Sequence, residues 1–132
     1  QLVQGAKKLK LGNIHATRDF NYVLDTVRAI SELSINKKAV GKIINIGTGK
    51  DISIKETADT IMNIMKYRVP IVSQKIRLRP KKSEVNRLVA DNGLLNSLIK
   101  KNQTNNFKTS LKATIKWIRK NENYFLRNEY KV

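Results

Sequence analysis

One stretch limits the possible folds of this chain more than any other. It is a β-branched run, followed by a glycine turn and then by a sequence typical of a helix start. Residues 42–46 (Lys-Ile-Ile-Asn-Ile) predict a strand, and Gly47-Thr48-Gly49 predicts a tight turn after it. Ser53 and Glu56 have the spacing of a capping box, in which each side chain accepts from the backbone N–H of the other residue. A helix is therefore expected from Ser53 to about Lys66. Strand, turn and helix together indicate an α/β chain.

A second unit of the same kind lies at residues 17–30. Arg18 and Asp19 begin a short apolar and aromatic run that predicts a strand, and Asp25 is a good N-cap for the helix that follows. The apolar residues that this helix would carry are Val27, Ala29, Ile30 and Leu33.

The rest of the chain predicts shorter elements. Asp91 and Asn106 are expected to cap the last two helices, because each precedes a segment with apolar residues at helical spacing. The expected fold class is α/β, with short strands and about four helices. Residues 2–8 are expected to be the end of a helix. Further strands are expected at residues 9–11, 69–73 and 85–89.

The residue types present exclude several classes of site. The chain has 132 residues, no cysteine and a single histidine, so it can form neither a disulfide nor a cysteine or histidine zinc site. No apolar run approaches the roughly 18 residues that a membrane helix needs. We expect a cytoplasmic protein without metal or membrane contacts. Because the sequence starts without methionine and in apparent mid-domain sequence, we expect residues 1–132 to be one region of a longer protein.

The charge of the chain indicates a partner that carries phosphates. Lysine and arginine number 27 against 10 acidic residues, which gives a net charge of +17. Nucleic acid is one such partner, but the stacking aromatic residues and motifs of nucleic-acid-binding domains are missing. The basic residues are spread over the whole chain, so a solvated surface is the alternative explanation.

No convincing catalytic set is present. Gly47-Thr48-Gly49 follows an expected strand, but a dinucleotide-binding loop would need a further glycine at position 52, which is isoleucine. A tight turn explains these glycines better. No tyrosine is followed by lysine four positions later, and the glutamates are scattered. The sequence therefore predicts neither a cofactor loop nor a catalytic pair.

Two arginines in loop-like contexts are the best candidates for ligand binding. Arg18 lies beside the strand start, and Arg79 lies in a basic, proline-containing segment at residues 75–87. Guanidinium groups suit bidentate recognition of phosphate. Pairing with a nearby acid such as Asp19 or Glu84 is an equally good explanation from spacing alone.

Six motifs, in this order, cover nearly the whole chain and resemble the C-terminal part of extended short-chain dehydrogenases/reductases. The chain is similar to the NAD-dependent nucleotide-sugar epimerases and 4,6-dehydratases among them. The motifs are Leu-Gly-Asn at 11–13, Arg-Asp-Phe-Asn-Tyr-Val-x-Asp-Thr-Val-Arg at 18–28, Ile-Asn-Ile-Gly-Thr-Gly at 44–49, Arg-Pro-x-Lys-Ser-Glu-Val-x-Arg-Leu at 79–88, Ala-Asp-Asn at 90–92 and Thr-Ile-x-Trp at 114–117.

The resemblance implies a division of labour within a longer enzyme. Such enzymes bind NAD in an N-terminal Rossmann domain, which also carries a Tyr-x-x-x-Lys catalytic pair, and they hold the nucleotide sugar in a smaller C-terminal region. The chain would be that second region, packed on a Rossmann domain of the same protein, in an enzyme that could form a homodimer. It would bind no NAD alone and would provide no catalytic residue. The complete enzyme would oxidise the sugar transiently at C4.

The resemblance also implies site residues. The family strand before the Gly-Asn turn runs along the nucleotide base, which corresponds to Leu9, Lys10 and Leu11. The two family arginines that hold the diphosphate correspond to Arg18 and Arg79. The substrate would be a UDP-, dTDP- or CDP-linked sugar.

The sequence departs from the family pattern near its end. The usual Leu-Gly-Trp-x-Pro is replaced by Leu-Ile-Lys-Lys-Asn at 98–102, and an expected glycine in the last helix is Ser110. Two alternatives stay open: a non-catalytic nucleotide-binding module and a basic nucleic-acid-binding domain.

Overall fold

A computed structural model describes residues 1–78, 80, 83–99 and 105–124. The α/β class with four helices is confirmed within these residues. The elements in chain order are β1 (Leu9–Leu11), β2 (Thr17–Arg18), α1 (Val23–Ser34), β3 (Ile52–Ser53), α2 (Ile54–Met65), β4 (Ile71–Ser73), β5 (Arg87–Leu88), α3 (Gly93–Leu98) and α4 (Phe107–Lys120), with 3₁₀ turns at Lys37–Ala39, Lys75–Arg77 and Glu122–Tyr124.

The strands form two small sheets. β1 pairs in parallel with β4, with Lys10 opposite Val72. β2 lies at the centre of the second sheet, antiparallel to β3 and parallel to β5, so that Arg18 is opposite both Ile52 and Leu88. This arrangement places Arg18 between two neighbouring strands.

Helix α2 begins as its sequence predicts. Ser53 Oγ accepts from the Glu56 N–H at 3.0 Å, and the Glu56 carboxylate accepts from the Ser53 N–H at 3.0 Å. The helix ends at Met65, before Lys66 in the left-handed conformation. Its buried face contributes Ala58 and Met62 to the first core cluster, together with Leu2 and Leu9 of the N-terminal segment.

Helix α1 differs from the prediction in two ways. Tyr22, not Asp25, is the N-cap, and Asp25 is buried in the first turn, where it accepts from the backbone N–H and side-chain Nδ2 of Asn105 at 3.0 and 2.6 Å. Its carboxylate thus anchors α1 to the start of α4. Of its apolar residues, Ala29 lies in the second core cluster, whereas Val27 and Ile30 are exposed.

Two further predicted elements are absent from the described residues. Residues 2–5 form a turn instead of a helix, because Gly5 adopts a left-handed conformation with φ of 73° and the Gly5 N–H bonds to the Leu2 carbonyl. Residues 42–46 form no strand, since no other segment in the described part of the chain pairs with them.

The remaining helix starts agree in part. Asn106 caps α4 as expected by accepting from the Lys108 N–H at 3.0 Å. Asp91 lies one residue before the N-cap of α3, which is Asn92, and accepts from the Gly93 N–H at 3.0 Å. The expected strands at residues 9–11, 69–73 and 85–89 are found, the last two in shortened form as β4 and β5.

Candidate functional site

Arg18 lies in the central strand of the second sheet and forms an ion pair with a distant residue. Its guanidinium Nη1 donates to the Thr17 carbonyl at 2.7 Å, and Nη2 lies 3.8 Å from Glu84 Oε1. Both side chains of this ion pair are largely buried. Of the two acids considered from the sequence, Glu84 is therefore the partner and Asp19 is not. The 3.8 Å separation is longer than a hydrogen bond, so the contact is a loose ion pair.

Asp19 holds two distant segments against β2. Its carboxylate accepts from the N–H groups of Thr48 at 3.0 Å, Gly49 at 2.9 Å and Ala90 at 3.3 Å, and also from the Thr48 hydroxyl. Burial raises the pKa of Asp19, but these hydrogen bonds outweigh burial and hold the pKa below its usual value. The ionised Asp19 carboxylate thus has a structural role, because it holds the glycine turn and Ala90 beside β2.

The Gly47-Thr48-Gly49 turn does not fit the pyrophosphate of NAD. A dinucleotide loop needs free backbone N–H groups at a helix N-terminus. Here the N–H groups of Thr48 and Gly49 already donate to Asp19, and α2 begins only after β3. A Cβ atom at Gly47 would lie 2.6 Å from an Asp19 oxygen, so close packing explains this glycine. The turn therefore supports the carboxylate and is no cofactor loop.

A cavity of about 350 Å³ opens beside Arg18. Arg18 and Asp19 form one wall, Asn45 and Ile46 another, and residues 88–91 the third. The Asn45 side chain donates to the Asp91 carbonyl at 3.4 Å and bridges two of these walls. Arg18 thus lines the cavity together with apolar and polar residues, and a cavity with an arginine in its wall suits a phosphate joined to a larger group.

β1 presents the backbone of Lys10 at a free sheet edge. Leu9 donates its N–H to the Pro70 carbonyl and Leu11 accepts from the Gln74 N–H, so both bonds are directed toward β4. Lys10 faces the other way, and its N–H and C=O pair with the side-chain amide of Gln1 at 2.8 and 3.1 Å. Of the three residues expected to contact a base, Lys10 therefore has the accessible edge, whereas the Leu9 side chain belongs to the core.

Described residues of the basic segment, residues 75–87, contact both the end of β1 and Arg18. Gly12, directly after β1, lies so close to the Arg77 backbone that a Cβ atom would overlap the Arg77 carbonyl oxygen. Seven residues further along, Glu84 reaches Arg18. Arg79, the second expected phosphate ligand, lies outside the described residues. Arg77 thus lies beside the residue that follows β1, and Glu84 lies beside Arg18.

Sequence reasoning missed the roles of Asp19 and Asp25. Both aspartates lie next to strand or helix starts, where a local cap is the usual explanation, but their partners are 29 to 80 residues away. Such partners leave no short-range signal. Among the described residues, no three His, Cys, Asp or Glu side chains cluster as metal ligands, and no helix is long and apolar enough to cross a membrane.

Comparisons with known proteins agree on one family. The family model described as GDP-mannose 4,6 dehydratase matches residues 1–114. A protein of Methanocaldococcus jannaschii with the provisional name UDP-glucose 4-epimerase is 30% identical over 121 residues, which are 92% of this chain and 37% of that protein. The chain therefore spans well under half the length of this relative.

Similar solved structures show the same fold within longer chains. An epimerase from Methanothermobacter thermautotrophicus has a TM-score of 0.81 at 22% identity and covers 96% of this chain, which spans 37% of that structure. A UDP-N-acetylglucosamine 4-epimerase from Methanobrevibacter ruminantium, solved with UDP-N-acetylmuramic acid, has a TM-score of 0.78 at 21% identity, with coverages of 91% and 37%. RMD from Pseudomonas aeruginosa, solved with NADPH, has a TM-score of 0.77 at 24% identity, with coverages of 91% and 38%.

Proposed function

Because the chain belongs to the GDP-mannose 4,6-dehydratase family of extended short-chain dehydrogenases/reductases, we propose that it binds the nucleoside diphosphate part of a nucleotide sugar. The observation that carries this proposal is the position of Arg18, which lines the cavity and has only a loose ion pair with Glu84. A diphosphate can bind this guanidinium more closely than Glu84 does, since charge-assisted hydrogen bonds are about 2.7–2.9 Å long.

The base is proposed to lie along Lys10. Any nucleobase presents a hydrogen-bond donor beside an acceptor on one edge, and the N–H and C=O of Lys10 are complementary to such an edge. The side-chain amide of Gln1 presents the same pattern and pairs with both groups. A base that replaced this amide would make equivalent bonds, which supports a nucleotide as the ligand.

The chain is proposed to act as the substrate-binding region of a larger enzyme. Together with an N-terminal Rossmann region that holds NAD, residues 1–132 would belong to a nucleotide-sugar 4,6-dehydratase or 4-epimerase. No chemical step at the sugar is assigned to residues 1–132, because the Rossmann region would supply the NAD and the catalytic pair. Their contribution is to anchor the remote diphosphate, whose binding energy positions the sugar for reaction.

A thermal-shift titration with single nucleotides tests the proposal. The chain is titrated with UDP, dTDP, CDP and GDP, with tripolyphosphate as the polyanion control, at about 50 mM and about 300 mM sodium chloride. We expect one nucleotide to raise the melting temperature more than tripolyphosphate does at both salt concentrations. If all polyanions shift the melting temperature equally and the shifts vanish at the higher salt, the binding is due to the net charge of +17 alone.

Replacing Arg18 separates specific binding from bulk charge. Arg18→Ala is expected to weaken binding of the preferred nucleotide by about 10- to 100-fold, because hydrogen bonds to charged groups contribute about 1.5–3 kcal/mol. Arg68→Ala is the matched control, since Arg68 is an exposed arginine after α2 that is hydrogen bonded to Asn63. Equal affinities for both variants would contradict the proposed role of Arg18.

A further inference from the structure

A groove of about 180 Å³ lies between the end of α2 and α4, and it shares no lining residue with the cavity beside Arg18. Its lining residues all come from these two helices and are Ile64, Met65, Lys112, Ile115, Lys116 and Arg119. The first two are half-buried and Ile115 is buried, whereas the three basic residues are exposed. This groove, the α2–α4 groove, therefore has an apolar floor and a basic rim.

The basic rim has no acidic partner in the part of the chain that the structure describes. Neither Lys112, Lys116 nor Arg119 forms an ion pair there, and none of the lining residues is acidic. Because these side chains follow one another at helical spacing along α4, neighbouring charges repel each other. The helix dipole favours Arg119 in the last turn, but it does not account for Lys112 and Lys116. The rim is therefore suited to an anionic partner.

The floor of the groove indicates which kind of anion fits. Single-stranded nucleic acid is bound by aromatic side chains that stack on its bases, and the lining residues include none. A membrane surface is bound by helices that insert their apolar face, whereas here the apolar residues lie below the basic rim. A second copy of this chain would bring two net charges of +17 together. A peptide with an apolar anchor among acidic side chains matches both the floor and the rim.

We propose that the α2–α4 groove binds an acidic peptide segment of a partner protein. One aliphatic side chain lies on the apolar floor, and Asp or Glu side chains pair with the rim, where Arg119 can bind a carboxylate in a bidentate manner. An apolar cavity of about 150 Å³ holds a molecule of benzene, so the groove has room for such an anchor. This inference does not depend on nucleotide binding, because neither Arg18 nor Lys10 lines the groove.

Fluorescence anisotropy with labelled peptides tests the role of the anchor. The probe is a peptide of about ten residues in which one leucine lies among glutamates, and a second peptide carries alanine in place of the leucine. At about 150 mM sodium chloride, we expect the leucine peptide to bind the chain and the alanine peptide to bind about tenfold more weakly, because the leucine side chain buries more apolar surface. Equal affinities of the two peptides would overturn the proposal, since the floor would then contribute nothing.

Charge reversal on the rim tests where the peptide binds. Lys112→Glu together with Lys116→Glu is expected to weaken binding of the leucine peptide by at least about tenfold, because like charges would then meet across the interface. Lys37→Glu together with Lys38→Glu is the matched control, since it changes the net charge equally at two exposed lysines outside the groove. This control is expected to weaken binding by less than about threefold. Equal losses in the two double variants would mean that only the net charge matters, which contradicts the proposal.

A uridine oligonucleotide and vesicles of phosphatidylserine test the other two kinds of partner. We expect each of them to bind the two double variants equally, because both would respond only to the net charge. If either one bound the wild-type chain more tightly than the leucine peptide and lost this binding only in Lys112→Glu with Lys116→Glu, the groove would be a nucleic-acid or lipid site. The proposal of an acidic peptide would then be wrong.

Discussion

Asp19 connects three segments that are far apart in sequence, and its removal should be costly. Its carboxylate accepts from Thr48, Gly49 and Ala90, which belong to the glycine turn and to the segment after β5. Asp19→Asn leaves one oxygen and turns an amide NH₂ toward backbone N–H donors. We expect a loss of about 2 kcal/mol in the free energy of unfolding, since hydrogen bonds to charged groups are worth about 1.5–3 kcal/mol. Urea denaturation at pH 7 measures it.

The same carboxylate predicts a pH dependence. The folded-state pKa of Asp19 is lowered, so the folded protein binds fewer protons than the unfolded chain, and Asp19 stabilises the fold above the unfolded pKa of about 3.9. This contribution is lost as the pH falls through the folded pKa. The stability difference between wild type and Asp19→Asn should therefore be largest at neutral pH and shrink below about pH 4. A constant difference from pH 7 to pH 3 would contradict the role of the ionised carboxylate.

Ser110 has the opposite character, because its buried side chain has no hydrogen-bond partner in the described part of the chain. Ser110 is 8% exposed, and its hydroxyl forms no hydrogen bond with the described residues. Ser110→Ala removes this hydroxyl and adds helix propensity within α4. We expect the free energy of unfolding to stay the same or to rise by about 0.5–1 kcal/mol. A loss above about 1 kcal/mol in urea denaturation would show that the hydroxyl has a partner.

At the scale of single elements, the capping box of α2 can be tested directly. Ser53→Ala removes the hydroxyl that accepts from the Glu56 N–H. The expected cost is about 1 kcal/mol, which corresponds to a fall of about 3 to 5 °C in melting temperature. Ser31→Ala, at an exposed position inside α1, is the matched control and should be neutral or slightly stabilising. If both variants melted at the same temperature, the box would contribute nothing.

The elements also show which parts of the fold a sequence can predict. The capping box of α2 and the Asn106 cap of α4 depend on residues two or three positions apart, and both predictions are confirmed. Residues 42–46 have the composition of a strand but lack a partner in the described chain, so local propensity alone could not form it. Asp25 has the residue type of a cap, but its partner Asn105 is 80 positions away. Local signals were therefore dependable where the partner is also local.

The same distinction between local signals and distant partners applies to the candidate site. Guanidinium chemistry made Arg18 a candidate phosphate ligand and left pairing with an acid as an equally good explanation, and only the fold could show its pairing with Glu84 and its place in the cavity. The resemblance pointed to the strand at residues 9–11, while the pairing with β4 shows that Lys10 carries its free backbone edge. The expectation for Arg79 stays a prediction.

At the scale of the whole molecule, the net charge of +17 should oppose folding. Three ion pairs connect described residues, whereas α4 carries five exposed basic side chains without an acidic one. Repulsion between like charges at the surface is weakened by salt, since the Debye length falls from about 10 Å at 0.1 M to about 3 Å at 1 M. The compact state should therefore gain more from added salt than the expanded unfolded chain.

We accordingly expect the melting temperature to rise when sodium chloride is increased from about 50 mM to about 500 mM without any nucleotide present. Lys112→Glu together with Lys116→Glu lowers the positive charge of α4 at two exposed positions and should reduce this rise. Because general effects of salt on apolar burial are the same in both proteins, the difference between them isolates the charge repulsion. A melting temperature that falls with salt would show instead that the ion pairs, such as Arg87 with Asp51, outweigh the repulsion.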